Sequence, residues 1–329
     1  IIRKYFNLSN AKEIAMEIDP RHCDAEYVKG LQDNGFNRIS IGLQDFNPVV
    51  QKAVNRIQTF AESSAILRSA KDLGFHSTNV DLIYGLPFQT LDTFTETIDQ
   101  VLQLAPDRIA LFNYAHIPQL FMSQTRIKES DLPVPSVKLD ILQMSVERLS
   151  SSGYQFIGMD HFAKPDDELS TALADGTLQR NFQGYSTFAD TDMLSFGVSA
   201  IGILGNSYYQ NVKDLTTYYS ALDRGMLPIL RGFSLNADDL CRKYIINQIM
   251  CQYKLNYADI EHKFALEFKS YFANELELLQ EIVELGLIEI TESGFAVSAK
   301  GRFLIRNIAM VFDKYLQQDK TNKRYSKVI

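Results

Sequence analysis

The sequence predicts an α/β protein, with a parallel β-sheet in the first part of the chain and a mostly helical second part. Strand-like segments begin near residues 14, 38, 78 and 108, and helix-like segments lie between them. Strands and helices that alternate with short connections are typical of a parallel sheet with right-handed crossovers. This pattern fits either a doubly wound sheet or a barrel. From residue 236 onwards the apolar residues recur at helical spacing instead.

In the first part, alternating apolar residues predict the strands, and apolar residues three or four apart predict the helices. The clearest helix has Leu91, Phe94 and Ile98 on one face. Gly35 and Gly74 follow two of the helical segments, where glycine commonly ends a helix. The predicted strands cover 14–18, 38–43, 78–84, 108–112 and 154–158, and the predicted helices cover 24–34, 61–73, 91–102 and 135–150.

The second part is predicted to contain loops and then a helical module with a β-hairpin. Residues 164–205 are rich in Gly, Asp and Thr, so we expect loops over an active face. A linker at 227–232 predicts two domains, 1–230 and 231–329. Predicted helices at 238–252, 272–285 and 299–316, with a tight hairpin at 287–297, resemble a winged-helix module, and the basic segment 320–327 is expected to be a solvated end.

Charge and composition exclude several classes of partner. The chain has 329 residues, a net charge of −7 and a pI near 5.3. Nucleic-acid binding needs clustered Lys and Arg, so we interpret the winged-helix-like module as a packing or substrate-covering element. No apolar run reaches the ~20 residues of a membrane span. The three cysteines do not form a disulfide framework, and we expect a cytoplasmic monomer.

Polar residues follow the predicted strands at the points where the strands end. Glu17 and Asp19 close the first strand, Gln44 and Asp45 close the second, and residues 113–116 follow the fourth. The carboxyl ends of barrel strands carry the active site, so these side chains would converge on a polar ligand. The alternative is that each residue caps the next helix or binds loop backbone.

A few single residues carry sharper alternatives. Asp81 lies inside the apolar segment 80–83, and an unpaired buried charge costs several kcal/mol, so it must be paired or face a ligand. His116 and His161 are each either a catalytic acid or a core histidine. The aromatic segment 181–185 either lines a flat apolar ligand or packs as a loop. No metalloprotease, phosphate-loop or nucleophile-elbow pattern is present.

Several ordered motifs carry a resemblance to a known family. Met16-Glu17-Ile18-Asp19-Pro20 is the first, and the longer motifs at 40–46 and 79–87 look like successive barrel strands. Further matching segments lie at 113–118, 158–163, 180–185 and 300–307. Together they resemble the oxygen-independent coproporphyrinogen III oxidase branch of radical S-adenosylmethionine enzymes, from one end of the chain to the other.

The resemblance implies a fold, a reaction and cofactors. The fold would be an incomplete βα barrel of the radical S-adenosylmethionine type with a helical C-terminal domain. The reaction would convert two propionates of coproporphyrinogen III to the vinyl groups of protoporphyrinogen IX, in haem biosynthesis. In the family, a 4Fe–4S cluster cleaves S-adenosyl-L-methionine reductively, and the resulting radical abstracts a propionate hydrogen. An electron donor would be a further partner.

Motif matching also implies site residues. The positions that fall where the family contacts S-adenosylmethionine are Glu17, Gln44, Arg56, Asp81, Ala115 and Ile201. Phe182 and Gln183 match a region near a second S-adenosylmethionine. Arg180 is a candidate partner for the substrate carboxylates, and no residue is assigned as catalytic. Arg56 as a surface cation and Ile201 as a core residue are the alternatives.

The chain departs from the family pattern in its cysteines. The family holds its cluster with a C-x-x-x-C-x-x-C loop after the first strand, because iron–sulfur clusters need thiolates. Neither separation among Cys23, Cys241 and Cys251 fits that loop. We therefore expect no metal ligands in this chain, cluster ligands upstream of residue 1, two missing barrel units and an inactive isolated polypeptide.

Two other functions stay open. A haem-binding chaperone relative of the family binds haem without making it, and Asp45 and the segment 181–185 favour the oxidase over it. A non-catalytic truncated paralogue would keep a porphyrin cleft, and the absence of the cysteine loop favours that alternative.

Overall fold

The computed structural model of the protein describes residues 1–189 and 191–318, and for residues 317 and 318 it describes the backbone only. The predicted basic end at 320–327 lies outside the described residues. The chain forms two compact units, of which the first comprises residues 1–170 and the second begins at residue 171.

The first unit alternates strands and helices as predicted, with 3₁₀ turns at Pro20–His22, Met122–Arg126 and Glu129–Asp131. In chain order its elements are α1 (Ile2–Tyr5), β1 (Ala15–Ile18), α2 (Ala25–Asp33), β2 (Arg38–Gln44), α3 (Pro48–Ala53), α4 (Phe60–Asp72), β3 (Ser77–Tyr84), α5 (Leu91–Leu104), β4 (Arg108–Asn113), α6 (Pro135–Ser151), β5 (Gln155–Gly158) and β6 (His161–Ala163). Helix α7 (Glu168–Ala174) runs across the junction to the second unit.

These strands form one six-stranded sheet in the order β1-β2-β3-β4-β6-β5. Strands β1 to β4 are parallel, whereas β6 pairs antiparallel with both β4 and β5. The α/β prediction is therefore confirmed, and the partial barrel is the form that it takes. The sequence did not predict β6, because a strand of three residues is too short to show alternation.

The helices pack on one face of this sheet. Thr59 and Thr90 cap α4 and α5 with their hydroxyls. On α5, Phe94 and Ile98 are fully buried. On β3, Val80 is fully buried as well, while the residues on either side of it face the other way and are less buried. The helix-covered face is the apolar core, and the opposite face is left for polar side chains.

Ion pairs close the amino-terminal edge of that polar face. Arg38, at the start of β2, is buried and lies 2.6 Å from Glu168. Arg108, at the start of β4, lies 2.8 Å from the same carboxylate and 2.8 Å from Asp167. Both arginines are thereby held by carboxylates from the α7 region, which leaves the carboxyl ends of the strands as the polar opening.

The second unit contains two small sheets, a hairpin and the helices of the chain's end. Its elements are β7 (Gln179–Asn181), β8 (Gly184–Ser186), β9 (Ile201–Leu204), β10 (Ser207–Asn211), α8 (Leu215–Asp223), β11 (Ile229–Ser234), α9 (Ala237–Gln252), β12 (Lys254–Asn256), α10 (Tyr257–Phe264), α11 (Phe268–Tyr271), α12 (Ala273–Glu284), β13 (Ile288–Ile290), β14 (Gly294–Val297), α13 (Ala299–Phe303), α14 (Ile305–Met310) and α15 (Lys314–Gln318). The sheets have the orders β11-β10-β9 and β12-β14-β13, and β7 pairs with β8.

Several predictions for this unit are corrected. The loop prediction for 164–205 is wrong in part, because α7, β7, β8 and β9 lie there. The predicted linker overlaps β11, whose residues are all exposed and so show no apolar alternation. The division at residue 230 falls inside β11 and stays a prediction. Three helices, α13, α14 and α15, lie where the sequence predicts one helix at 299–316. The sequence does not show the two breaks between them, because the apolar spacing continues across both.

The hairpin of β13 and β14 and the helices α9, α10 and α12 give the winged-helix-like arrangement that the sequence predicts. Helix α12 directly precedes that hairpin in the chain, and it carries four glutamates and neither Lys nor Arg. Among the described residues, no helix combines the length and apolarity that crossing a membrane requires.

Candidate functional site

Two rows of side chains cross the polar face of the sheet. In the Asp81 row, strand register places Gly42, Asp81, Ala110 and His161 side by side on β2, β3, β4 and β6. In the Ser40 row, one step towards the amino edge, Glu17 pairs with Ser40 and Ser40 with Asn79. The neighbours of Asp81 in its row on β2 and β4 are Gly42 and Ala110, and the ends of the Gln44 and Arg56 side chains lie over Gly42.

The Asp81 carboxylate is held by the Ser40 row. The Asn79 amide donates to Asp81 Oδ1 at 2.8 Å and to Ser40 Oγ at 2.8 Å. The Ser40 hydroxyl donates to Asp81 Oδ2 at 3.2 Å. The prediction that Asp81 must be paired or face a ligand is therefore met by pairing to neutral donors, which hold the carboxylate without neutralising its charge.

Burial raises the pKa of the Asp81 carboxyl above its ordinary value. The hydrogen bonds from Asn79 and Ser40 oppose that rise, the negative charge of Glu17 adds to it, and the charge of His161 opposes it. The ionisation of Asp81 is thus set by groups from β1, β2, β3 and β6 together. Shifts of this kind concentrate at functional sites.

Strand β2 ends in a bulge that turns Gln44. The register between β2 and β3 shifts between Gly42 and Gln44, and Gln44 has a φ of +63°. A residue other than glycine pays roughly 1–2 kcal/mol for the left-handed region, and such positions cluster at functional sites. A Cβ on Gly42 would lie only 2.7 Å from Gln44 Nε2, so the turned side chain occupies the space that glycine leaves.

Arg56 reaches the same place from the loop after α3. Its Nη2 donates to the Gly42 carbonyl at 2.9 Å, and its Nη1 lies 3.4 Å from Asp19 Oδ2. Burial lowers the pKa of the Arg56 guanidinium, and the Asp19 carboxylate opposes that change. Arg56 is therefore half-buried and held by two partners, and its contact with a ligand stays a prediction.

Three buried polar atoms at this place make no hydrogen bond within the described residues: the acceptors Gln44 Oε1 and Gln58 Oε1 and the donor Arg56 Nε. Gln58 belongs here because its Nε2 donates to the Gly42 carbonyl at 3.4 Å. Leaving such a group unsatisfied costs ~1–3 kcal/mol, so buried polar groups are nearly always paired. An unpaired acceptor and an unpaired donor next to Asp81 fit a polar ligand that carries both kinds of group.

Two polar residues at the strand ends do not belong to this site. Asp45 is 1% exposed and accepts hydrogen bonds from Gln89, Thr97 and the backbone of Asn47. Asp19 caps the turn that follows β1 and pairs with Arg21 at 2.6 Å. Hydrogen bonding to Arg21 lowers the pKa of Asp19 to about 2. For these two residues the structural alternative is correct, although Asp19 also contacts Arg56.

Residues after β4 and β5 complete the carboxyl edge. Ala115 lies beyond the end of β4, and its carbonyl accepts from Gln124 Nε2 at 3.0 Å. His116 Nδ1 lies 3.3 Å from the Tyr114 hydroxyl. His161 Nδ1 lies 2.6 Å from Asp160, and its ring packs edge-on against that of Phe112. Neither histidine is enclosed by the apolar core, and only His161 shares a row with Asp81.

Four predicted residues lie in the second unit. Arg180 is in β7, and its guanidinium lies 5.8 Å from the centre of the Tyr185 ring. Phe182 and Gln183 form the turn between β7 and β8, where Phe182 is 55% exposed. Ile201 begins β9 and is half-buried. The hairpin presents Phe182 and Gln183 together, as their sequence predicts, and their roles stay predictions.

The cysteines do not fit a cluster. Cys23 belongs to the first unit, whereas Cys241 and Cys251 are buried on α9 in the second. Burial raises the pKa of the Cys241 thiol to about 11 and that of Cys251 to about 12, which disfavours the thiolates that iron needs. In the described part of the chain, no group of three His, Cys, Asp or Glu residues is placed to hold a metal ion.

Sequence reasoning missed Ser40 and Asn79 as site residues. The signal was present, because both alternate with apolar residues in strands whose other face is fully buried. A polar residue two positions before Asp81 in the same strand must share its face. That rule alone would have paired Asn79 with Asp81.

Comparison with known proteins gives two matching families. The profile of the Radical SAM superfamily matches residues 1–101. The profile of the HemN C-terminal domain matches residues 235–304.

Individual relatives match over nearly the whole chain. The oxygen-independent coproporphyrinogen III oxidase of Escherichia coli K12 is 48% identical over 329 residues, which are 100% of this chain and 72% of that protein. The protein of the same name from Thermostichus vulcanus is 46% identical over 98% of this chain and 100% of its own length. The solved coproporphyrinogen III oxidase (HemN) from Escherichia coli superposes with a TM-score of 0.93 at 49% identity, covering 96% of this chain and 73% of that one.

Proposed function

Since the chain belongs to the oxygen-independent coproporphyrinogen III oxidases, which are radical S-adenosylmethionine oxidoreductases, we propose that it serves the oxidative decarboxylation of coproporphyrinogen III to protoporphyrinogen IX. This is a step of haem biosynthesis. The names of the relatives support the substrate, and the chemistry of the Asp81 row supports the cofactor.

The observation that carries the proposal is the pair of unsatisfied buried atoms beside Asp81. The unpaired acceptor on Gln44 and the unpaired donor on Arg56 match a zwitterionic amino-acid group, which offers ammonium donors and carboxylate acceptors. S-adenosylmethionine has such a group, together with ribose hydroxyls that carboxylates can bind. When bound, S-adenosylmethionine supplies the hydrogen-abstracting chemistry of the superfamily.

The residues of this chain then have distinct tasks. Arg56, fixed by the Gly42 carbonyl and Asp19, would bind the methionine carboxylate, for which a guanidinium is well shaped. Asp81 and Glu17 would accept hydrogen bonds from the ligand, and Gln44 would accept from its amino group. Ala115 would contribute contact surface.

The second unit would serve the substrate side of the reaction. The exposed Phe182 and its neighbour Gln183 would contact a second S-adenosylmethionine. Arg180 is exposed, and its guanidinium lies over the Tyr185 ring, so its charge would be available to a propionate. The electron donor is a further partner that the reaction requires.

The iron–sulfur cluster of the superfamily does not fit the cysteines of this chain, and no step is assigned to those cysteines. We infer that Cys23, Cys241 and Cys251 do not ligate a 4Fe–4S cluster. Anaerobic reconstitution of this chain with iron and sulfide, followed by iron analysis and absorption near 400 nm, tests the inference. A stoichiometric cluster that is lost when these cysteines are replaced by serine would overturn it.

Titration calorimetry with S-adenosylmethionine tests the cofactor site. Arg56→Met and Asp81→Asn are each expected to weaken binding ~10-fold or more, because each removes a charge that the ligand contacts. Asp107→Asn is the matched control, since Asp107 is a partly buried carboxylate bonded to Thr78 at the opposite edge of the same sheet. Binding that is unchanged in both site variants would refute the assignment.

A product assay separates the oxidase from a porphyrin carrier. Coproporphyrinogen III is incubated anaerobically with reductant, S-adenosylmethionine and a polypeptide that joins this chain to the C-x-x-x-C-x-x-C loop of the family, and vinyl products are measured by chromatography. The oxidase forms protoporphyrinogen IX. Porphyrin binding without any vinyl product would support the carrier instead.

A further inference from the structure

The Asp81 carboxylate is oriented by two neutral side chains that the proposed function does not use. Asn79 lies two residues earlier on the same strand, and Ser40 lies on β2 in register with it. All three contacts among Ser40, Asn79 and Asp81 are 3.2 Å or shorter. The three residues therefore form a closed triangle, here called the Asp81 clamp.

The donors and acceptors of the Asp81 clamp fix the direction of each of its hydrogen bonds. The Asn79 amide has two protons, and one goes to Ser40 Oγ and the other to Asp81 Oδ1. Because the Ser40 oxygen already accepts a proton from Asn79, its own proton is left to point at Asp81 Oδ2. Each carboxylate oxygen thus accepts one internal bond and keeps acceptor capacity for a group that donates protons.

We propose that Ser40 and Asn79 are positioning residues that fix the Asp81 carboxylate, as a charged acceptor, for S-adenosylmethionine. The inference rests on the proposed function, since it assumes that Asp81 contacts that ligand. A preorganised acceptor loses no side-chain freedom when the ligand binds, and this increases affinity.

Charge and burial agree with this role. Asp81 lies in a site that disfavours its charged form, and Glu17 disfavours it further. The hydrogen bonds of the clamp act in the opposite direction, together with His161. If the Asp81 carboxylate served only the fold, a neutral or apolar residue at this position would make the folded state more stable. The clamp instead keeps a negative charge beside Gly42, where the ends of the Gln44 and Arg56 side chains also lie.

The test measures S-adenosylmethionine affinity by calorimetry in Ser40→Ala, Asn79→Ala and Asp81→Asn. Each clamp variant is expected to weaken binding about 10-fold. In the Asp81→Asn background, adding Ser40→Ala is expected to change affinity by no more than about twofold, because no charge remains to be positioned. Ser40→Thr keeps the hydroxyl and is expected to retain wild-type affinity.

The pH profile gives a readout that a merely structural role would not move. Loss of either clamp hydrogen bond raises the pKa of Asp81, so binding should weaken at a higher pH than in the wild type. Thr78→Val is the matched control. Thr78 is buried, neighbours Asn79 in β3, and bonds Asp107 on the other face, so its loss should lower stability and leave the profile unchanged.

The outcomes distinguish a failure of the proposed cofactor site from a failure of the positioning role. If Asp81→Asn binds S-adenosylmethionine as tightly as the wild type, the proposed site itself is wrong. If Asp81→Asn weakens binding while Ser40→Ala and Asn79→Ala keep wild-type affinity and pH profile, the positioning role alone is overturned. Equal losses from Ser40→Ala in both backgrounds would also overturn it, because they would show an effect that does not pass through Asp81.

Discussion

A single added methyl group at Gly42 is expected to weaken S-adenosylmethionine binding roughly 10- to 100-fold without unfolding the protein. Gly42 does not have a left-handed backbone, so alanine suits its conformation. A Cβ there would lie 2.7 Å from Gln44 Nε2 and 2.8 Å from Arg56 Nη2. Both atoms are ends of flexible side chains, so the side chains move and the strand stays.

The magnitude follows from the contacts that move. Arg56 donates to the Gly42 carbonyl at 2.9 Å, and hydrogen bonds that involve a charged group contribute about 1.5–3 kcal/mol. If the ligand loses one such contact when Arg56 shifts, affinity falls by roughly 10- to 100-fold. The protein itself loses about 1 kcal/mol, which lowers the melting temperature by only about 2–4 °C.

Calorimetry with S-adenosylmethionine and thermal unfolding check this prediction side by side. Gly30→Ala is the matched control, because it is the same chemical change in helix α2, where nothing lies within 4 Å of the added Cβ. It is expected to keep full affinity and to gain slightly in stability. Wild-type affinity in Gly42→Ala would show that the displaced side chains do not touch the ligand.

Three further predictions concern charge. S-adenosylmethionine binding should weaken at a lower pH in Glu17→Gln and at a higher pH in His161→Gln. The reason is that the charge of Glu17 raises the pKa of Asp81, whereas the charge of His161 lowers it. Affinities measured from roughly pH 4 to 8 check both directions. Arg38→Leu should lower the free energy of unfolding in urea by about 1 kcal/mol and leave affinity unchanged, because Glu13 and Glu168 are partly exposed and Glu168 keeps its ion pair with Arg108. Fluorescence anisotropy should detect no duplex DNA binding at physiological salt, since α12 carries four glutamates and no cation.

The parts of the fold that sequence predicts are those with long periodic patterns. The helix at 91–102 and the strand at 78–84 have enough apolar residues at regular spacing to define both the element and its buried face. Strand β11 escapes prediction because every residue in it is exposed, which removes the alternation that marks a strand. The three-residue β6 escapes because it is too short, although it carries His161 into the Asp81 row.

Within the site, sequence predicts which residue types matter better than where they point. Gln44 and Asp45 are adjacent at one strand end, and the strand-end pattern treats them alike, whereas the family resemblance assigns only Gln44 to the cofactor. The structure separates them, because the bulge turns Gln44 into the left-handed region while Asp45 is enclosed by Gln89 and Thr97. The local sequence gives no glycine or asparagine at position 44 to announce the turn, so only the packed structure reveals it.

Unsatisfied buried polar groups at the carboxyl edge of the sheet support the function proposed for its polar face. At the amino edge, Arg38 and Arg108 have carboxylate partners, although Arg38 Nε makes no hydrogen bond and only lies 3.2 Å from Glu13 Oε2. At the carboxyl edge, Gln44, Arg56 and Gln58 keep buried atoms without hydrogen-bond partners among the described residues. Unsatisfied groups weaken a fold. The unsatisfied atoms near the clamped Asp81 carboxylate therefore support the proposed ligand, which would complete their hydrogen bonds.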